Sequence, residues 1–175
     1  MAERVISQTV TIAAPPNQIF ALLADPARHA EIDGSDTVQG TRSTTEPLTS
    51  GSTFSMKMKL GPIPYRITNR VVEFQHDRLI AWQHFGGHRW RYELEPTTTD
   101  TGTPATRVTE SFDWSTSRIP WLIERARYPA RHRINIAATL ERLAAVITGE
   151  AASGAAAAPP EDVDGMASGS ESDPR

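Results

Sequence analysis

Six strand-like stretches in a row, followed by one long helical stretch, limit this chain most strongly to one kind of fold. Each is rich in β-branched and aromatic residues or alternates apolar with polar side chains, and Gly, Pro, Asp and Thr clusters separate them. They read TVQGTRS, STFSMKMKL, YRITNRVVEFQH, RLIAWQHF, HRWRYELEP and ATRVTESFDW. Because short connections join neighbouring strands, the run predicts an antiparallel meander.

A further strand and two short helices are predicted before the meander. Residues 4–12 alternate apolar side chains with serine and threonine, which is the two-residue period of a strand. Pro15 and Pro16 then open a stretch whose apolar residues share one helical face. Because Asp25 and Pro26 interrupt that stretch, we predict two short helices there.

The last ordered element is predicted to be a long helix over residues 118–148, kinked near Pro129. Its later part carries an apolar stripe, formed by Ile136, Leu140, Leu143 and Ile147. The sheet is the surface that we expect to cover this stripe.

Composition divides the chain into one domain and a tail. The whole chain has 38% apolar and 22% charged residues, and residues 1–148 suit a single globular domain. Residues 149–175 are rich in Ala, Gly, Pro, Ser and acidic residues, with Val163 and Met166 as the large apolar side chains, so we predict disorder. The absence of cysteine excludes disulfides, thiolate metal ligands and cysteine nucleophiles.

Charge and hydropathy argue against nucleic acid and membrane-spanning partners. The tail holds six acidic side chains against one arginine, so the net charge of −3 leaves the body at +2, with its basic residues scattered. There is no run of about eighteen apolar residues and no signal-peptide pattern at the start. We therefore expect a cytoplasmic protein with no integral membrane association.

Three segments carry a family resemblance over roughly residues 3–148: IAAPPNQIFALLADPARHAEIDGS, RYELEPTTTDTGTPATRVTESFDW and INIAATLERLAAVI. They resemble the polyketide cyclase/dehydrase and lipid-transport group of the START-like (SRPBCC) superfamily, which shares the Bet v 1-like helix-grip architecture. The resemblance implies an α+β fold, in which a curved seven-stranded antiparallel sheet wraps around a long C-terminal helix, with two short helices after the first strand. It also implies an internal cavity, which in relatives holds lipids, polyketides, quinones, hormones or aromatic metabolites. Fold alone does not fix function.

Alternation along the strands predicts which side chains would line such a cavity. Methionines suit a wall that accepts irregular ligands, although they also fill ordinary cores. We predict a ligand-binding set of Phe54, Met56, Met58, Tyr65, Ile67, Asn69, Trp90, Tyr92, Glu110, Phe112, Trp121 and Tyr128.

Two polar residues of this set, Asn69 and Glu110, stand on strand faces that are otherwise apolar. Burying a carboxylate is costly, so Glu110 needs a partner, a raised pKa or cavity water. The alternative is an ordinary structural hydrogen bond or a position at a strand edge.

The stretch AWQHFGGHRWRYELEP poses a question about register. A two-residue Gly86-Gly87 turn would pair His84 with Arg89, whereas a three-residue loop would pair His84 with Trp90. Only the three-residue register brings Trp82 to the cavity face. Neither register clearly brings His84 and His88 together, and no third ligand stands at a metal-binding spacing, so we predict no metal site and no cofactor.

Basic residues cluster on the last helix, at Arg125, Arg127, Arg131 and Arg133. One or two of them could reach the cavity mouth and pair with an anionic head group. The alternative is a basic face in contact with water.

Three functions fit these patterns. The first is noncatalytic binding or carriage of a small hydrophobic molecule, favoured because no GxSxG, Walker or Rossmann pattern is present. The second is a cyclase, aromatase or dehydratase; catalytic residues remain unknown, with Glu110, Asn69, His84 and His88 as candidates. The third is a protein-interaction module similar to toxin-like or coenzyme Q chaperone members. A homodimer through a strand edge is also compatible.

Overall fold

The computed structural model describes residues 4–41, 46–125 and 128–157. Its elements in chain order are β1 (Val5–Ile12), α1 (Pro16–Leu23), α2 (His29–Ile32), β2 (Val38–Thr41), β3 (Thr53–Leu60), β4 (Ile63–Gln75), β5 (Leu79–Gln83), β6 (Arg89–Thr98), β7 (Pro104–Asp113), α3 (Pro120–Arg125) and α4 (Tyr128–Ala157). The predicted α+β class, with short helices after the first strand, is confirmed.

The seven strands form one antiparallel sheet in the order β1-β7-β6-β5-β4-β3-β2. Strands β2 to β7 follow one another as a meander, which confirms the prediction, and β1 adds to the far side of β7 along its whole length, from Val5 opposite Asp113 to Ile12 opposite Thr106. The first and last strands of the chain are therefore direct neighbours.

Helix α1 begins at Pro16. Proline is tolerated there because N–H groups in the first turn have no acceptor within the helix, so the N–H that proline lacks costs no hydrogen bond. Its buried face consists of Ile19, Phe20, Leu22 and Leu23. The interruption at Asp25 is a local turn, because the backbone N–H of Ala27 donates to the Asp25 carboxylate at 2.9 Å. The prediction of two short helices is confirmed.

The region of the predicted long helix is described as two helical segments. Helix α3 ends at Arg125 and helix α4 begins at Tyr128, and residues 126–127 between them lie outside the described part of the structure, so the kink near Pro129 stays a prediction.

The apolar stripe of α4 packs as predicted. Ile136, Leu140, Leu143 and Ile147 are each at most 3% exposed and belong to the main core cluster. Helix α4 contacts β1, β7 and α2. The connection after α2 approaches α4 closely: a Cβ on Gly34 would lie 2.3 Å from the carbonyl oxygen of Asn135, so a side chain there would force the connection away from α4.

Helix α4 continues past the predicted domain boundary at Thr148 and ends at Ala157. The added residues are mostly alanine, the best helix former, and Glu150 in this part pairs with Arg28. The rest of the tail predicted to be disordered lies outside the described residues.

Candidate functional site

A cavity with a volume of about 710 Å³ lies between the sheet and helices α2, α3 and α4. Ten of the twelve predicted ligand-binding residues line it: Phe54, Met56, Met58, Tyr65, Ile67, Asn69, Trp90, Tyr92, Glu110 and Phe112. Their common position follows from the two-residue period of strands, which turns alternate side chains to the same face of the sheet.

Of the two remaining members of the predicted set, one lies outside the cavity and the other cannot be placed from the described residues. Trp121 is 61% exposed, because α3 is a single short helix that buries none of its side chains. The other, Tyr128, opens helix α4, but its side chain lies outside the described part of the structure.

Aromatic rings form the buried wall of the cavity. The ring centroid of Trp82 lies 5.8 Å from that of Phe54, 5.4 Å from that of Tyr92 and 5.0 Å from that of His29, which stacks on it. His29 was missed by the sequence reasoning, since it lies in a four-residue helix with too few positions to define a face. Burial lowers the pKa of His29, so its ring is neutral at pH 7.

Glu110 and Tyr92 form a polar pair in this apolar wall. They stand directly opposite each other on β7 and β6, and Glu110 is 2% exposed. Burial raises the pKa of Glu110 to about 8, against a smaller opposing effect of the Tyr92 hydroxyl. No described residue bonds to Glu110 Oε2. The carboxyl group is therefore protonated at neutral pH and has one oxygen free of protein partners.

Asn69 is the other polar side chain predicted on an apolar face. It is 7% exposed, lines the cavity and stands opposite Phe54 in the pairing of β4 with β3. A neutral amide that carries both a donor and an acceptor is thus available on this wall.

The hairpin between β5 and β6 follows neither of the predicted registers. Gln83 pairs with Arg89 and Trp82 with Trp90, so residues 84–88 form a five-residue loop. Gly87, at φ 82°, supplies the left-handed conformation, and its N–H donates to the His84 carbonyl at 3.0 Å. Both predicted pairings of His84 are wrong, although Trp82 does reach the cavity face.

The two histidines of this loop do meet, contrary to what either predicted register allowed. His84 Nε2 and His88 Nε2 are 2.6 Å apart, with the ring planes perpendicular, and both residues line the cavity. Burial lowers the pKa of His84, and burial with the neighbouring imidazoles of His84 and His132 lowers the pKa of His88 to about 4. Both rings are therefore uncharged at pH 7.

A third imidazole, His132 of α4, faces the same cavity and was not predicted as a site residue. Its ring centroid lies 4.3 Å from that of Phe112 and 4.8 Å from that of Trp90, and burial lowers its pKa to about 4. The signal that could have found it is spacing, because His132 precedes the buried Ile136 by one helical turn. The neighbouring Arg131 also lines the cavity but is exposed.

One side of the cavity is rimmed by exposed apolar side chains. Six residues are both largely exposed and part of the lining: Leu60, Ile63, Tyr65, Phe85, Ile119 and Leu122. They come from the β3–β4 hairpin, the β5–β6 loop and the region of α3, so these three segments form the cavity mouth.

Within the described ranges, no group of three or more His, Cys, Asp or Glu side chains has a geometry that holds a metal ion. None of the helices in the described part of the chain is both long and apolar enough to cross a membrane.

Residues 3–148 match the model of one protein family, whose description is polyketide cyclase / dehydrase and lipid transport. The uncharacterized protein Rv0088 of Mycobacterium tuberculosis is 48% identical over 109 residues, a match that covers 62% of this chain and 47% of that protein. The chain thus spans about half the length of the curated relatives it matches.

Solved structures are similar in fold at low sequence identity. Protein NE0264 from Nitrosomonas europaea has a TM-score of 0.61 and 16% identity, covering 87% of this chain and 99% of that one. Protein Ms6760 from Mycobacterium smegmatis has a TM-score of 0.58 and 14% identity, covering 84% and 92%. At these identities the likeness concerns the fold alone.

Proposed function

Because the chain belongs to the polyketide cyclase/dehydrase and lipid transport family, we propose that it binds a small hydrophobic molecule in the cavity between the sheet and α4. The observation that carries this proposal is the continuous apolar path from the exposed mouth at Phe85 and Ile63 to the buried rings of Phe54 and Trp82. A volume of about 710 Å³ also falls in the range of sites that enclose small ligands.

The character of the wall supports binding more directly than catalysis. Met56 and Met58 are flexible and polarizable, so they adapt to ligands of irregular shape. Most of the lining surface is apolar, and polar side chains such as Asn69, His88 and Glu110 are set into it, which suits orientation of a ligand by hydrogen bonds.

The test is native mass spectrometry of gently purified protein, followed by organic extraction of any bound molecule. We expect a discrete apolar ligand, and a Met58→Trp variant should retain about tenfold less of it, because the added rings fill the cavity. The matched control is Val72→Trp, at an exposed position of β4 outside the cavity lining. Equal retention by both variants would exclude the cavity as the binding site.

A second candidate function is a cyclase or dehydratase activity, and one observation favours it. Glu110 is a protonated acid at neutral pH with a free oxygen, as a general acid that protonates a leaving hydroxyl or a carbonyl requires. Once the extracted ligand is known, Glu110→Gln should abolish its turnover while binding persists. Unchanged turnover would remove this candidate and leave ligand binding in place.

A further inference from the structure

We propose that His84 and His88 form a preset hydrogen-bond donor for a carbonyl oxygen, and that the cavity ligand is therefore a neutral hydrophobic carbonyl compound. This inference rests on the proposed function and names the chemistry that the ligand carries. It follows from which nitrogen of each imidazole ring carries the proton.

The first step is the tautomer of His84. The backbone N–H of Gly86 donates to His84 Nδ1 at 2.9 Å, so Nδ1 is the unprotonated acceptor. A neutral imidazole carries one proton, and in His84 it must therefore stand on Nε2.

The second step derives the tautomer of His88 from that of His84. His84 Nε2 lies 2.6 Å from His88 Nε2, and a hydrogen bond there needs one donor and one acceptor. Since His84 supplies the proton, His88 Nε2 accepts it. The single proton of a neutral His88 ring is then on Nδ1.

The loop holds this arrangement before any ligand arrives. A Cβ on Gly86 would lie 2.8 Å from His84 Cε1, so glycine is what lets its N–H approach the ring. The carbonyl of Gly87 accepts from Thr116 Oγ1 at 2.7 Å, and the carbonyl of Gly86 accepts from the Arg118 N–H at 3.2 Å. The segment before α3 therefore fixes the loop that carries both histidines.

The third step concerns the proton on His88 Nδ1. This nitrogen is buried, and no described residue accepts a hydrogen bond from it. Burying a donor without an acceptor costs free energy, and a hydrogen bond to a ligand oxygen would remove that cost. His88 lines the cavity, with its ring centroid 5.1 Å from that of Phe112, and we expect small shifts of neighbouring rings, which are common on binding, to bring a ligand oxygen to Nδ1.

The surrounding groups favour a neutral ligand over a charged one. The cavity-lining groups with shifted pKa values are all shifted toward their uncharged forms, namely His29, His84, His88, Tyr92, Glu110 and His132. The carboxylate of Asp33, which also lines the cavity, accepts from the backbone N–H groups of Ser35, Thr37 and Val38. Arg131 is charged but exposed. A free carboxylate or ammonium would therefore lose its hydration inside without a matching charge.

The first test is the tautomeric state of the rings in the ligand-free protein, read from long-range ¹H–¹⁵N NMR spectra at pH 7. We expect the proton on Nε2 of His84 and on Nδ1 of His88. A His84→Gln variant keeps a donor near the Nε2 position and should leave the His88 tautomer unchanged, whereas His84→Leu should release it to a mixture. A proton on His88 Nε2 in the unaltered protein would overturn the inference.

The second test compares 2-undecanone with undecane as probes, by displacement of a fluorescent apolar dye. In His88→Leu the affinity for the ketone should fall about tenfold, as expected for one buried donor, while the affinity for the alkane stays the same. His88→Asn, whose amide nitrogen can replace Nδ1, should restore much of the loss. The control Met58→Leu should alter both affinities alike.

The outcomes separate this inference from the proposed function. If the protein binds neither probe, both fail. If it binds both probes and His88→Leu leaves the ketone affinity unchanged, or lowers both affinities equally, the cavity stands as a binding site but the histidine donor is excluded.

Discussion

The surroundings of Glu110 shift the pKa of its carboxyl group, and this shift affects how folding stability depends on pH. Glu110 lies in the apolar wall of the cavity, and burial raises the pKa of its carboxyl group to about 8, against an ordinary value of 4.5. Between these two pH values the folded protein holds a proton that the unfolded chain has released. The contribution of Glu110 to folding stability must therefore fall as pH rises through this interval.

We predict that this fall has a slope of about 1.4 kcal/mol per pH unit and that Glu110→Gln removes it, because the amide cannot ionise. Urea unfolding of the parent protein and of Glu110→Gln at several values between pH 5 and pH 8 measures this contribution as the difference between their slopes, because the buried histidines act in the opposite direction below pH 6.5. Glu95→Gln is the control, since that side chain is exposed and paired with Arg107. Equal slopes in the parent protein and in Glu110→Gln would contradict the assignment to this carboxyl group.

At this scale, sequence predicted the positions of Glu110 and Asn69 well and that of the histidines poorly. A side chain within a strand has only two faces to choose from, so alternation with apolar neighbours was enough to place it. His84 and His88 belong to a loop whose length depends on contacts with Thr116 and Arg118, some thirty residues away in sequence. Local turn propensity carries no information on such contacts.

At the scale of elements, α4 shows how periodicity predicts a packing face but not a helix end. The buried stripe from Ile136 to Ile147 was predicted from the helical spacing of its apolar residues, which the sheet was then expected to cover. The end at Ala157 was not, because the composition of the tail suggested disorder while its alanines favour helix. The six residues of α3 were too few for a face to be defined, which is why Trp121 was placed wrongly.

Gly149 offers a test of the helical extension. It lies inside α4, and nothing is within 4 Å of a Cβ built on it. Gly149→Ala should stabilise the protein by about 0.5–1 kcal/mol, because alanine loses less backbone entropy in a helix.

The companion variant Gly149→Pro should be less stable than the parent protein, because it interrupts the helix before Glu150 can pair with Arg28. Urea unfolding monitored by circular dichroism measures both variants. Equal stability of the two would show that the helix ends near Thr148 in solution.

At the scale of the whole molecule, buried titratable groups lower the folding stability both above and below neutral pH. Burial lowers the pKa of His88 and of His132 to about 4, from an ordinary value of 6.5, and also lowers those of His29 and His84. Below pH 6.5 these histidines therefore bind protons in the unfolded chain that they do not bind in the folded protein. Stability falls as pH drops toward 4, in the direction opposite to the effect of Glu110.

We predict a maximum of stability at about pH 6 to 7, with a decline on both sides. Thermal unfolding midpoints across pH 4 to pH 9 test this. Glu110→Gln should flatten the alkaline side and steepen the acid side, where Glu110 opposes the histidines, and a His88→Leu, His132→Leu double variant should make the acid side shallower. A midpoint that rises steadily up to pH 9 would contradict the prediction.

The pairing of β1 with β7 also bears on how the chain reaches this structure. Residues 5–12 find their partner strand only at residues 104–113, so the sheet cannot grow in the order in which the chain is synthesised. The meander from β2 to β7 can form by local steps, but the first strand must wait for the last, and loop closure over this distance is slow. Until that closure, β7 presents an open edge that can pair with another copy of the chain, so refolding yield should depend on protein concentration.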